Sequence, residues 1–365
     1  MKLIALKDVC KINMGQSPNS SSYNDYGDGM PFFQGNADFG ERYPITRVWC
    51  NTPTKIAQAE DILISVRAPI GALNYAKEEC CIGRGLAAIT PDRNKVSQDF
   101  IYWALKGKKA ELNDKGNGST FKAISRKILE ETMIPDINFE QQHKCAENLE
   151  KIYGIIQNRR KELLALDDLI KARFVEMFDG KYPEDTLLNL CNIIDYRGKT
   201  PKKVERGLPF ITAKNVKMHH MTLEPLEYIS KETYDKVMVR GFPKEGDVVF
   251  TTEAPLGNVC RIPHFNTEFY IGQRIVTMQT EELNPTYLEY ALSAEEFIRK
   301  YMGNSSGSTV IGIRVRLLEQ LTIQVPPRGL QDEFAIFVEQ VDKSKLMFQK
   351  LHQKLNILRQ KAGDI

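Results

Sequence analysis

One uninterrupted stretch of this chain, from Phe139 to Phe178, repeats its apolar residues with the period of a long helix that must lie against another helix. Leu149, Ile156, Leu163, Ile170 and Met177 recur every seven residues. Ile152 and Leu166 fill the second seam, which Arg159 and Arg173 interrupt. This is the a/d heptad of a coiled coil, and only Gly154 weakens it. At about 1.5 Å per residue the helix is roughly 60 Å long, too long to bury its stripe against itself. A second stretch, Gln331 to Lys361, supplies the partner. Phe334, Val341, Phe348 and Leu355 repeat at seven, and Phe337, Leu351 and Leu358 hold the other seam, with Ser344 as the exception. Two amphipathic helices on separate cores would not need heptads kept over four repeats. The pattern therefore predicts an antiparallel pair of helices, each closing one half of the chain.

The two halves also repeat in their globular parts. Met30-Pro31-Phe32-Phe33-Gln34-Gly35-Asn36 corresponds to Leu208-Pro209-Phe210-Ile211-Thr212-Ala213-Lys214-Asn215. Asp61 to Gly71 corresponds to Asp247 to Gly257, with Ala-Pro before the final turn in both. Ile82-Gly83-Arg84-Gly85-Leu86 answers to Ile271-Gly272-Gln273-Arg274-Ile275. A helix follows in each half, Asp99 to Leu112 or Pro285 to Met302, then a Gly/Ser/Thr loop, an apolar segment ending in proline, and the long helix. Ile62 to Val66 and Val248 to Thr252 are short, β-branched and bounded by turns, so they read as strands. Tyr182-Pro183-Glu184-Asp185 reads as a linker. The expected fold is mixed α/β (α+β). Globular domains at 1–138 and 181–329 form a pseudo-repeat, separated by helices at 139–180 and 330–365.

Bulk properties narrow the function classes. The chain has 365 residues, enough for two or three domains. No stretch of eighteen apolar residues or cleavable leader is evident, so the expectation is a cytoplasmic protein without a membrane span. The seven cysteines are an odd number and form no C-x-x-C, so buried thiols are expected rather than disulfides or zinc. The net charge of +3 decides nothing unless the basic residues cluster.

Catalytic signatures are weak. Asn284-Pro285-Thr286-Tyr287 resembles the turn of amino-group methyltransferases, but a helix start with Pro at its first position explains it better. Gly83-Arg84-Gly85 and Gly116-Asn117-Gly118 lack the spacing of a phosphate loop. No His-Glu-x-x-His helix occurs. No catalytic or metal-binding residue is assigned.

The loops instead mix cations with hydrogen-bonding side chains at equivalent places in both halves. In the first half these are Gln16, Ser17, Gln34, Asn36, Arg67, Arg84, Lys115, Asn117, Ser119, Thr120 and Lys122. In the second they are Arg197, Lys199, Thr200, Lys202, Lys203, Thr212, Lys214, Asn215, Lys217, Gln273, Arg274, Ser308, Thr309 and Arg314. Lys and Arg suit phosphates, whereas Arg, Asn and Gln read base edges in the major groove. Any one such loop fits solvated surface as well as it fits a nucleic-acid contact, but recurrence in both halves points to nucleic acid. Two unlike modules on a spacer would read two unlike half-sites, near one DNA turn apart, roughly 34 Å.

The ordered repeat, the two heptad helices after Pro135 and Pro326, and the pieces Leu208-Pro209-Phe210-Ile211, Gly246-Asp247-Val248-Val249 and Gly307-Ser308-Thr309 together resemble the specificity subunits of type I restriction–modification systems. The resemblance covers essentially the whole chain. It implies two target-recognition domains on double-stranded DNA, with helices that set the spacer and bind two methyltransferase subunits. It further implies adenine methylation by the partner using S-adenosylmethionine, with no cofactor on this chain, and restriction or translocase subunits as further partners. A fused methyltransferase–nuclease partner stays open. Recognition domains of this family vary too much for contact residues to be carried over. The alternative is a coiled-coil scaffold that does not bind specific DNA.

Overall fold

The structure, a computed structural model, describes residues 2–116, 122–196, 198, 201–307 and 310–363, with side chains described up to residue 346. The chain divides into two compact units, residues 1–160 with 350–365 and residues 161–349. The division falls inside the first long helix, Phe139–Phe178, so each unit includes a stretch of helix.

In the first unit a four-stranded antiparallel sheet runs in the order Cys10–Met14, Leu86–Pro91, Ile62–Ser65, Leu73–Tyr75. The central strand Ile62–Ser65 is buried on both faces, and the two-residue period of a strand sends its side chains into two cores. Ile62 and Ile64 meet Phe100, Ile101 and Leu105. Leu63 meets Phe33, Ala57 and Ile82 on the other side. That second core lies under a sheet whose strands Met30–Phe33 and Cys80–Ile82 pair in parallel.

The second unit repeats this plan. Asn192–Asp195, Ile275–Gln279, Val248–Thr251 and Val259–Arg261 form the same antiparallel order. Val248 and Phe250 point into one core and Val249 into the other. Leu208–Ile211 pairs in parallel with Tyr270–Ile271. The mixed α/β class and the pseudo-repeat expected from the sequence are both present.

The repeat extends to single hydrogen bonds. The Asp61 carboxylate accepts from the Gln58 N–H at 2.9 Å, as Asp247 does from Lys244 at 2.8 Å. The Ser65 hydroxyl accepts from the Ala72 N–H, as Thr251 does from Asn258. Gly71 and Gly257 turn the chain at φ +83° and +91°, a region that favours glycine. A buried glutamine in the first turns of each long helix ties the helix to its globular part. Gln142 accepts from the Ser97 N–H at 2.7 Å and donates to the Ile137 carbonyl at 2.8 Å. Gln331 accepts from the Asn284 N–H and donates to the Pro326 carbonyl, both at 2.8 Å. Replacing either by leucine strands a buried N–H and a buried carbonyl. Each substitution is expected to lower stability by about 1–3 kcal/mol, and chemical denaturation would show the loss.

The helix seam follows the heptad reading in the described residues. Ile156 and Ile170 are buried, and Leu149, Ile152, Leu163, Leu166 and Met177 are half-buried. In the second unit the two long helices pack antiparallel. Asp167 meets Lys345 at 2.6 Å and Arg173 meets Glu333 at 3.0 Å, so one helix ascends as the other descends. Arg173, an interruption in the sequence pattern, is therefore an ion pair across the seam. In the second long helix, Arg328–Gly363, Phe334 and Val341 are buried as expected. Val338, rather than Phe337, is the buried residue between them, at 1% exposure. The cause is that this end also packs on the globular core, which widens the apolar stripe beyond a narrow seam. Ser344 hydrogen-bonds its own helix at the Gln340 carbonyl. The side chains of Phe348, Leu351, Leu355 and Leu358 lie outside the described residues.

Three expectations need correction. Tyr182 to Asp185 is no loose linker, because Glu184–Thr186 pairs with Thr322–Gln324. Its counterpart in the first unit is Leu3–Ala5 with Met133–Pro135. Three-residue strands are too short to show a period. The helix expected from Asp99 to Leu112 is two, Gln98–Gly107 and Lys109–Asp114, with the break after a glycine. The helix expected from Pro285 to Met302 is also two, Pro285–Ser293 and Glu295–Gly303. Ala294 is extended between them, and Glu295 and Glu296 favour a fresh helix start.

Candidate nucleic-acid interface

In the first unit, backbone hydrogen bonds zip several loops into one rim. The Gly83 N–H donates to the Phe33 carbonyl at 2.8 Å and the Gly85 N–H to Gln34 at 3.1 Å. The Val66 N–H donates to Gly85 at 2.9 Å, the Ala68 N–H to Lys122 at 3.1 Å, and the Gln16 N–H to Ile82 at 3.0 Å. The rim thus gathers Gln16, Ser17, Gln34, Asn36, Arg67, Arg84 and Lys122. Gln16, Gln34, Arg67, Arg84 and Lys122 are exposed. The Ser17 hydroxyl accepts from the Arg84 N–H at 3.3 Å and lies 3.4 Å from the Gln34 amide nitrogen. Asp38 closes the turn by accepting from the N–H groups of Gln34 and Gly35. Among the described residues, Arg67, Arg84 and Lys122 make no ion pair. Lys115 sits beyond the rim, after the helix Lys109–Asp114, and pairs with Glu111 at 2.7 Å.

The second unit builds the same rim from different side chains. The Gly272 N–H donates to the Ile211 carbonyl at 2.7 Å, the Thr252 N–H to Arg274 at 2.9 Å, and the Ile313 N–H to Thr252 at 3.0 Å. These bonds gather Thr212, Lys214, Gln273, Arg274 and Arg314. A cleft of ≈ 230 Å³ opens here, lined by Lys203, Thr212, Lys214, Gln273 and Arg274 among others. Lys203 pairs with Glu227 at 2.8 Å. Arg274 pairs through Nε with Glu253 at 3.0 Å. Lys202 is exposed.

Two sequence candidates have other surroundings. Asn215 is 2% exposed and its amide is fully engaged inside the loop. Its oxygen accepts from Thr212 at the N–H and the hydroxyl, and its nitrogen donates to the Thr222 and Pro225 carbonyls. It shapes the turn that presents Lys214 and has no hydrogen-bonding capacity left for a base. Lys217 lies in a separate two-stranded ribbon, paired with His220, away from the cleft lining. Asn117, Ser119, Thr120, Arg197, Lys199, Thr200, Ser308 and Thr309 lie outside the described residues.

Sequence alone passed over Glu253, because a single acidic residue in a loop carries no signal until its partner is seen. It also passed over Glu289, which is 1% exposed and meets Arg261 at 2.6 Å and His219 at 2.9 Å. This cluster ties the helix Pro285–Ser293 to the neighbouring strand. Asn284 caps that helix through the Thr286 N–H, with Pro285 in its first turn. Tyr287 is buried and donates its hydroxyl to the Gln324 carbonyl. The methyltransferase-like turn is therefore helix cap and core.

Burial pushes the thiols of Cys10, Cys80, Cys191 and Cys260 up to about 12, so they stay protonated and unreactive at neutral pH. Among the described residues, no cluster of His, Cys, Asp and Glu could hold a metal ion. Nor is any helix there long and apolar enough to cross a membrane.

The chain is similar to known proteins over both halves. The family model described as the type I restriction modification DNA specificity domain matches residues 1–166 and 184–358. The chain is 47% identical over 171 residues to the putative type I restriction enzyme MjaX specificity subunit of Methanocaldococcus jannaschii, covering 47% of this chain and 40% of that protein. It is 21% identical over 389 residues to the MjaIX specificity subunit of the same organism, covering 97% and 89%. The crystal structure of the type I restriction–modification system S subunit from M. genitalium aligns with a TM-score of 0.58 at 16% identity. That alignment covers 99% of this chain and 94% of the other, so the fold is shared along its length. The chain belongs to the type I restriction modification DNA specificity domain family.

Proposed function

We propose that this chain is the sequence-specific DNA-recognition subunit of a type I restriction–modification complex, reading an asymmetric bipartite target on double-stranded DNA. The observation that carries this reading is the repeated rim. Two homologous units present the same zipped loops with different exposed side chains, so each can read a different half-site. The chain contributes recognition and no catalysis. It delivers two methyltransferase subunits, which hold S-adenosylmethionine and methylate adenine, and it works with restriction or translocase subunits in the cytoplasm. The adenine must leave the base stack to reach the partner's active site.

Phosphate contacts give such a complex a steep salt dependence, because each one displaces a condensed counterion. Lys202→Ala is expected to weaken binding across all sequences and to flatten the slope of log affinity against log salt by about 1. Fluorescence anisotropy over a salt series reads both. Affinity that barely responds to salt would favour a protein scaffold instead.

A further inference from the structure

The two rims are built alike but differ in charge at matching positions. Where the first unit has Arg67 before Ala68-Pro69, the second has Glu253 before Ala254-Pro255. The correspondence is structural, since Arg67 bridges to Ala123 as Glu253 bridges to Gly312. Where the first unit has Gly85, the second has Arg274, and their carbonyls accept from the N–H groups of Val66 and Thr252, each the residue just after its central strand. A residue pair has thus replaced a lone cation and a glycine. Glu253 and Arg274 meet at 3.0 Å through Nε, and both stay well exposed, at 43% and 54% of their side chains. Among the described residues no hydrogen bond engages the Arg274 Nη atoms. Gly312 leaves room for the pair, because a Cβ there would lie 3.0 Å from the Cβ of Glu253.

A carboxylate on a surface that meets phosphates is unfavourable on charge alone. It becomes useful when it fixes an arginine. With its Nε against the carboxylate, the guanidinium keeps two Nη donors, a fork whose geometry matches the O6 and N7 acceptors of guanine in the major groove. We propose that Arg274 reads a guanine in the half-site of the second unit, with Glu253 as its positioning residue. This rests on the DNA-recognition reading above. The first unit has no such pair, so its half-site carries no equivalent contact from these positions.

The test is selection of bound duplexes from a randomised library by the chain assembled with its methyltransferase partner, followed by sequencing. The wild-type complex is expected to yield two unlike halves, one containing an invariant guanine. Arg274→Ala should relax that guanine alone, its preference falling roughly 5- to 150-fold, with the other half unchanged. Glu253→Gln should relax the same position more mildly, which a merely structural role would not do. If Arg274→Ala fails to assemble, Arg274→Lys keeps the charge without the fork and should relax the same guanine. An unchanged motif in variants that assemble and bind would overturn the guanine assignment and leave DNA recognition standing. No enriched motif from an assembled wild-type complex would overturn both.

Discussion

Phe334→Ala is expected to lower the stability of the second unit by about 3–5 kcal/mol, seen as a lower midpoint in thermal or chemical denaturation. Phe334 is fully buried. Its ring lies edge-on to Phe174 at 5.4 Å, Phe178 at 5.6 Å and Tyr290 at 5.4 Å. It therefore joins both long helices to the globular core. Removing it opens a cavity among rigid aromatic rings that cannot collapse to fill the space, which places the cost at the high end for a core truncation. The exposed Ile336 on the same helix is the control, and its alanine variant should change stability by less than about 0.5 kcal/mol. A small loss at Phe334 would mean that the helices are held mainly by their ion pairs.

Gly15→Ala is expected to disrupt recognition in the first unit alone. A Cβ at Gly15 would sit 2.2 Å from the Gly83 carbonyl oxygen and 2.8 Å from those of Ile82 and Leu86. All three are backbone atoms in the centre of the zipped rim, so relief requires the loops at Gln16, Gln34 and Arg84 to separate. Strain of this kind costs about 1–3 kcal/mol or more, and it falls on the geometry that sets the contacts. The variant should lose its preference in one half of the target and keep the other. Gly35, with nothing within 4 Å of an added Cβ, should tolerate alanine without loss of stability. Retained reading of both halves by Gly15→Ala would exclude this rim from recognition.

Much of this was legible in the sequence, for identifiable reasons. The heptads showed because a long exposed helix can bury only one stripe, and Ile156, Ile170, Phe334 and Val341 lie on it. The central strands showed because Ile62 to Ser65 and Val248 to Thr251 are dense β-branched runs bounded by turns. The closing ribbons did not, because three residues carry no period. Site residues were legible as a class but not one by one. Asn215 has the chemistry of a base reader, yet its amide is consumed within the loop. Glu253 looked incidental because its partner Arg274 is distant in sequence. Residue type states what a side chain can do, and only the fold decides what remains free to do it.

The most direct measurement of the central claim is modified-base sequencing of DNA from cells carrying the methyltransferase partner, with and without this chain. The expected result is a methyladenine motif in two unlike halves with a fixed gap, present only when the chain is present. The contradicting result is no chain-dependent motif from a complex shown to assemble.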